Sequence, residues 1–449
     1  MCADRSRRLG IAAVLWVAAL LPAAGAVQAA PSIQSWETPN GARVLFVEAP
    51  ELPILDVRVV FDAAGARDGD SPGLASLTNS LLSEGAGPWS ADQIAERLEA
   101  VGAELSSGSL RDMAWVSART LTEDEPLRTT IETLAAVIAE PRFDPEDLER
   151  VRANTLVALK QEEQSPAETA KKAFYRAVYG DHPYGAHPSG TPESVAAIDR
   201  SDVVAFHRRY YVARNAVVAI VGAVSREQAG RLAERVTAGL AGGESAPPLP
   251  QVPEPAGGSL VRVDFPSSQS HIYSGQPGMR RGDPDYFPLY VGNHILGGNG
   301  LVSQLSEEVR NERGLSYSVY SYFLPMQRRG PFVMGAQTKN AQADEALAVM
   351  RRTVLEFIER GPTADELDEA KQNITGGFPL RIDSNDDIVE YLAMIGFYGL
   401  PLDYLDTLVD KVDAVTAAQI RDAFSRRLHP DRFVTIILGG GVKPVSESR

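Results

Sequence analysis

A metal centre needs ligands that can share one ion, and the six histidines of this chain do not obviously supply them. They stand at 182, 187, 207, 271, 294 and 429. None are four apart, so no helix carries two imidazoles at i and i+4 on one face. His182 and His187, in DHPYGAHPSG, come closest, but Pro183, Gly185 and Pro188 make that segment read as a structured loop. Cys2 is the only cysteine and lies ahead of an apolar stretch, so the chain beyond it has no thiol for nucleophilic or metal chemistry. No G-x-S-x-G elbow or S-x-x-K constellation supports a serine nucleophile. Gly297-Gly298-Asn299-Gly300 lacks a Walker or dinucleotide context and reads as a tight turn. Arg310 and Tyr317 stand seven apart in ILGGNGLVSQLSEEVRNERGLSYSVYSYF, residues 295–323. Taken alone, they read as a solvated helix charge and a half-buried strand tyrosine.

The elements that position these residues follow from periodicity. Val57, Val59 and Phe61 alternate as in a half-buried strand, and Val217 to Val221 form a short apolar run. In GLASLTNSLLSEG, residues 73–85, Leu74, Leu77, Leu81 and Leu82 fall on one apolar helix face. Ser76, Asn79 and Ser80 are expected on a different face. A helix is expected to run through Arg310 and to break at Gly314, leading into a strand that alternates through Tyr317 and Val319.

Residues 241–259, AGGESAPPLPQVPEPAGGS, read as an extended, semi-rigid linker. It separates residues 31–240 from 260–449, and the two parts run through the same series. Each has an early helix (73–84; 284–297), a second helical segment (90–101; 301–313), a long helical pair, and a closing helix and strand. The expectation is a duplicated α+β protein, two α/β halves each with a mainly antiparallel sheet and packed helices.

The chain has 449 residues and a formal net charge of −15. Arg5, Arg7 and Arg8, the apolar run Leu9 to Leu21, and small residues ending at Ala29-Ala30 read as an export signal over residues 1–30. Residues 1–29 carry three arginines and one aspartate, +2, so the remainder carries −15 − 2 = −17. Such acidity argues against nucleic-acid or anionic-membrane partners. An exported, periplasmic protein with no membrane span after signal removal is expected.

The order Gly-Ala-Arg-Asp, Gly-Leu-Ala, leucine-rich helix resembles the start of the zinc-bearing domain of the pitrilysin/insulinase-type (inverzincin) metallopeptidases. In that family this helix carries H-x-x-E-H, two zinc-binding histidines and a glutamate that activates the bound water. The histidine positions correspond here to Ser76 and Ser80 and the glutamate to Asn79; the third ligand, a later glutamate, corresponds to Val157. Hydroxyls and amides are weak zinc ligands beside imidazole and carboxylate. The resemblance therefore implies a member that binds no metal itself.

Residues 295–323 are similar to the C-terminal half of the same family, within E-x-R-x-x-R-G-L-S-Y-S-V. There an arginine and a tyrosine seven apart reach the zinc domain and hold the substrate carbonyl as charge develops on its oxygen. Arg310 and Tyr317 have that spacing, and the resemblance implies that role for them. Gln304 departs from the family's more usual arginine, at a position outside the pair.

The implied function is the non-zinc subunit of a two-chain metallopeptidase. A homologous partner would bring H-x-x-E-H and zinc, and a peptide would be held in part by an exposed strand edge. The alternative is a catalytically inactive structural or peptide-binding protein of the same fold, for which Arg310 and Tyr317 are not needed.

Overall fold

A computed structural model of the chain describes residues 32–254 and 257–441. The expected export signal lies outside the described residues. The first half begins with β1 (Gln34–Glu37), β2 (Arg43–Glu48) and β3 (Ile54–Phe61), followed by α1 (Leu74–Leu81). A small ribbon, β4 (Gly85–Ala86) and β5 (Trp89–Ser90), leads to α2 (Ala91–Glu99), β6 (Glu104–Ser109) and β7 (Ala114–Leu121). Then come α3 (Asp124–Ala139), α4 (Pro145–Glu163), α5 (Pro166–Tyr179), α6 (Pro192–Ala197) and α7 (Arg200–Tyr210), with β8 (Ala216–Gly222) and α8 (Arg226–Thr237) last.

The second half runs β9 (Ser259–Phe265), β10 (Gln269–Pro277), α9 (Tyr286–Asn293), β11 (Ser316–Phe323), β12 (Pro331–Lys339) and α10 (Ala343–Arg360). It ends with α11 (Ala364–Gly377), α12 (Asn385–Tyr398), α13 (Tyr404–Asp413), α14 (Ala417–Arg427) and β13 (Val434–Gly440).

The two sheets share one topology. The first has the order β1-β2-β8-β3-β7-β6 and the second β11-β12-β10-β13-β9. Without β1, and with the second order reversed, they match strand for strand. In each sheet one pair is parallel, β2 with β8 and β9 with β13, and the other pairings are antiparallel. The α+β duplication expected from the sequence is what the chain forms.

The halves also exchange a helix. α12 packs on β8, β3 and β2 of the first sheet, while α5 packs on β10 and β13 of the second. That is why all seven residues of β8 are buried: the α1–α3 side covers one face and α12 the other. The close seat of α12 requires Gly396, where a Cβ would lie 2.4 Å from Val217 Cγ1 and 2.8 Å from Leu45 Cδ1. On the other sheet, Phe174, Tyr175, Val178 and Tyr179 of α5 pack with Val333, Val434, Ile436 and Leu438. Both sheets belong to one compact body.

The stretch after Leu240 has no regular structure up to Glu254, as a Pro-rich linker should, but it does not hang free. Leu249 and Val252 are buried in the α5 cluster. Arg67 donates to the Pro247 carbonyl at 2.6 Å, Arg328 to Leu249 at 2.7 Å and Arg329 to Val252 at 3.1 Å.

One helix expectation is corrected. Residues 301–313 are not an α-helix but a 3-10 turn, Gly300–Val302, and a wider π turn, Ser306–Asn311. The early helix also loosens, from α9 into a π turn at His294–Gly298. Over a dozen residues an apolar pattern cannot separate 3.6 residues per turn from the wider winding, because Leu305 and Val309, both fully buried, suit either.

Candidate functional site

The π turn Ser306–Asn311 ends where Gly314 adopts φ +60, a left-handed conformation that glycine reaches without strain. The Gly314 amide bonds back to Arg310 O at 3.0 Å and the Leu315 amide to Val309 O at 2.9 Å. The chain then enters β11, the edge strand of its sheet. Pairing with β12 shifts register between Ser316 and Ser318, leaving Tyr317 as the extra residue of a β-bulge. Ser316 Oγ fastens the bulge by donating to the Ser318 and Gln337 carbonyls, at 2.7 and 2.8 Å.

Bulges re-aim side chains, and this one corrects the expected alternation. Val319 is 6% exposed and faces the core, whereas Tyr317 is 82% exposed. Tyr317 is therefore a projecting residue, not a half-buried one. The Arg310 guanidinium lies over its ring, 4.4 Å from the centroid. The neighbouring carboxylates are engaged elsewhere: Glu308 with Arg313 and Arg352, Glu312 with Arg313, and Glu307 with Asn311. Among the described residues Arg310 makes no salt bridge. A charged donor and a hydroxyl thus stand side by side, turned outward and held by a fastened backbone. Gln304, the departure noted above, bonds to Glu366 at 2.7 Å and plays no part in the pair.

The residues at the degenerate ligand positions are placed differently. Ser76 is half-buried and Ser80 exposed on α1, while Val157 is 58% exposed on α4, which packs against α1. Asn79 does not share their exposure, being only 2% exposed. Its Nδ2 donates to Tyr211 Oη at 3.3 Å and to the Trp115 carbonyl at 3.4 Å. Tyr211, which directly follows α7, covers that flank of α1 and stacks on His207, ring centroids 4.9 Å apart. Burial pushes the Tyr211 phenol above its ordinary range and holds His207 down at about 4.

The leucines, by contrast, all turn inward as their spacing demands. Below them Asp68 anchors the start of α1, accepting from the Gly73 and Ala75 amides at 2.7 Å each. Its burial raises the carboxyl to about 7. The sequence signal for that anchor was present in Gly-Ala-Arg-Asp, though not its use as a cap.

Zinc does not fit this first-half site, since a buried amide, two hydroxyls and a valine cannot replace two imidazoles and a carboxylate. Among the described residues no group of three or more His, Asp or Glu stands where it could hold a metal ion. His182 is the structural loop residue its prolines suggested: Nδ1 accepts from the Tyr184 amide and Nε2 meets the Pro250 carbonyl, both at 3.1 Å. No helix among the described residues is long and apolar enough to cross a membrane.

Two family models match successive segments of the chain. The model for insulinase (peptidase family M16) matches residues 43–191 and that for the peptidase M16 inactive domain matches residues 197–374. An uncharacterised zinc protease of Mycobacterium tuberculosis is 30% identical over 415 residues, covering 89% of this chain and 92% of the relative. A non-peptidase homologue of Helicobacter pylori is 27% identical over 385 residues, covering 84% and 87%. The crystal structure of a peptidase M16 inactive domain from Pseudomonas fluorescens is 37% identical, with a TM-score of 0.88, and covers 92% of this chain and all of that one. The chain belongs to the M16, pitrilysin/insulinase-type, peptidase family. Within it, this member lacks the H-x-x-E-H sequence.

Proposed function

We propose that this protein is the non-zinc subunit of a two-chain M16 metallopeptidase, exported to the periplasm, and that it contributes Arg310 and Tyr317 to a composite site. The observation that carries this reading is the unpaired Arg310 guanidinium over an outward-turned Tyr317 on a bulged edge strand. A scaffold has no use for a projecting phenol beside a cation. Facing a peptide held by a partner, the Tyr317 hydroxyl and the Arg310 guanidinium donate to the scissile carbonyl oxygen as negative charge develops on it. This chain holds no zinc of its own; the H-x-x-E-H-bearing partner would hold it and supply the activated water. The free edge of β11 offers backbone groups to an extended peptide.

The test is peptide cleavage by the purified chain, by an H-x-x-E-H-bearing homologue, and by their mixture. Activity confined to the mixture, falling on the order of 10² to 10³ with Tyr317→Phe, is expected. Equal activity with and without this chain would overturn the reading. The second reading, an inactive peptide-binding or structural protein, draws support from the name of the Helicobacter pylori relative. It predicts that the mixture is indifferent to Tyr317→Phe.

A further inference from the structure

A second site stands apart from the Arg310–Tyr317 pair. Two adjoining grooves, about 680 and 470 Å³, run beside α9, the π turn after it and α12. Each is of a size that takes a small ligand or a few peptide residues. Both are lined by Arg281, Arg381, Tyr286 and Tyr290, so the grooves meet at two guanidinium groups set among phenols.

The cations there are not balanced from within. Among the described residues neither Arg281 nor Arg381 forms a salt bridge; Arg381 donates to Tyr290 Oη, at 3.1 Å, and to the Tyr391 phenol. Arg281 Nε is buried with no hydrogen-bond partner, and so is Nε2 of His294, which lines the larger groove. A buried donor left unmade is costly, more so on a charged group, and such groups are ordinarily satisfied. The two carboxylates on the smaller groove's wall are engaged elsewhere. Glu390 pairs with Arg58 at 2.8 Å, and the Asp387 carboxylate accepts from the hydroxyl of Ser384, whose Oγ caps α12 by accepting from the Asp387 amide. In a chain of net charge −15, two uncompensated guanidinium groups in one recess mark a place built for a negative ligand.

The geometry points to a carboxylate-binding site in which Arg281 and Arg381 take the free C-terminal carboxylate of a short peptide, with its terminal aromatic or aliphatic side chain against Tyr286 and Tyr290. Tyr286 and Tyr290 are stacked, centroids 5.8 Å apart and planes at 12°, and present a flat apolar wall beside the charges. Guanidinium forks match the two oxygens of a carboxylate, which a terminal amide cannot imitate. The site lies wholly within this chain and needs no partner subunit. Failure of the composite peptidase therefore leaves it standing, and its own failure leaves Arg310 and Tyr317 untouched.

Calorimetric titration of the purified chain tests it with three probes: an acetylated tetrapeptide ending in phenylalanine with a free carboxylate, its C-terminal amide, and inorganic phosphate. The acid is expected to bind at least tenfold more tightly than the amide, and Arg381→Gln to remove about tenfold of that preference while leaving amide binding unchanged. Arg381 is exposed on a short turn, so its replacement keeps the fold. Arg281→Gln extends the test where it folds. Phosphate displacing the acid supports recognition of the oxyanion itself. Acid and amide binding alike, parent-like binding by Arg381→Gln, or binding of phosphate but not peptide would overturn the assignment.

Discussion

The two halves use one strand order and differ where the chemistry would be. In the first, the stretch after β3 passes through one 3-10 turn, Gly65–Arg67, into regular helices: α1 is anchored by Asp68, and α2 starts from a Ser90–Gln93 capping box. Its polar residue Asn79 turns into the core and bonds to Tyr211. In the second, the corresponding stretch after β10 departs from regularity four times, with π turns at His294–Gly298 and Ser306–Asn311, a 3-10 turn at Gly300–Val302 between them and a bulge at Tyr317. Those departures turn Tyr317 outward under Arg310. Duplication supplied two copies of a frame, and the copy that kept irregular backbone kept the outward-facing donors. Such irregularities occur preferentially at functional sites, whereas a helix relieved of ligand duty is free to close over its core.

That contrast breaks if the first-half site can be refilled. Restoring the motif by Ser76→His, Asn79→Glu and Ser80→His should fail, and fail at one residue. Asn79→Glu places a carboxylate where an amide donates to Tyr211 and Trp115, and removes both bonds. An uncompensated buried charge costs about 3 kcal/mol or more, and urea unfolding should show it. Ser80→His alone, on the exposed side, should change stability by no more than about 0.5 kcal/mol. A triple variant as stable as the parent and binding zinc stoichiometrically would show that the site was never closed.

The sequence made much of this frame legible, and physics explains what it hid. Leucine spacing gave the buried face of α1, valine alternation gave β3, and the run at 217–221 gave β8, because each pattern is local. The exchange of α5 and α12 between halves was not visible, since a helix shows which face is apolar but not which sheet will cover it. Gly396 is its one trace, a glycine inside an apolar helix that allows close approach. The resemblance of residues 295–323 to the family, and not the seven-residue spacing alone, singled out Arg310 and Tyr317 as candidates. The outward turn of Tyr317 was missed because a bulge adds one residue to a period of two and reverses every face beyond it.

The helix exchange predicts that the halves do not unfold separately. Asp112, buried at their junction, accepts from the Gln327 amide at 2.7 Å, Tyr398 Oη at 3.2 Å and Tyr184 Oη at 3.4 Å. These partners come from both halves, and burial pushes the Asp112 carboxyl above its ordinary range. Asp112→Ala strands a buried amide and two phenols and should cost about 2 kcal/mol, while Tyr398→Phe should cost about 1 kcal/mol. Both variants are expected to retain a single calorimetric transition. Two resolved transitions in the parent would show that the halves are joined by connection alone, and the likeness of their sheets would then be the likeness of two independent domains.

The smallest effect separates the halves by acid. His207, buried beside Tyr211 and hydrogen-bonded to the Ile138 carbonyl at 2.9 Å, is held at about 4, below the ordinary imidazole value of 6.5. The unfolded chain therefore binds its proton first. The stability this imidazole contributes is complete above pH 6.5 and is lost as pH falls from 6.5 towards 4. Between pH 7 and pH 5.5 the loss should be about 1 kcal/mol. Asp68, raised to about 7, works in the opposite direction: its contribution is greatest in acid and is lost as pH rises from 3.8 towards 7. In His207→Gln the first term is absent, so its melting temperature, relative to the parent's, should rise on acidification over that interval. Parallel curves for parent and variant would mean that the interior behind α1 admits the proton, and that the first half is less closed than Asn79 and Tyr211 make it.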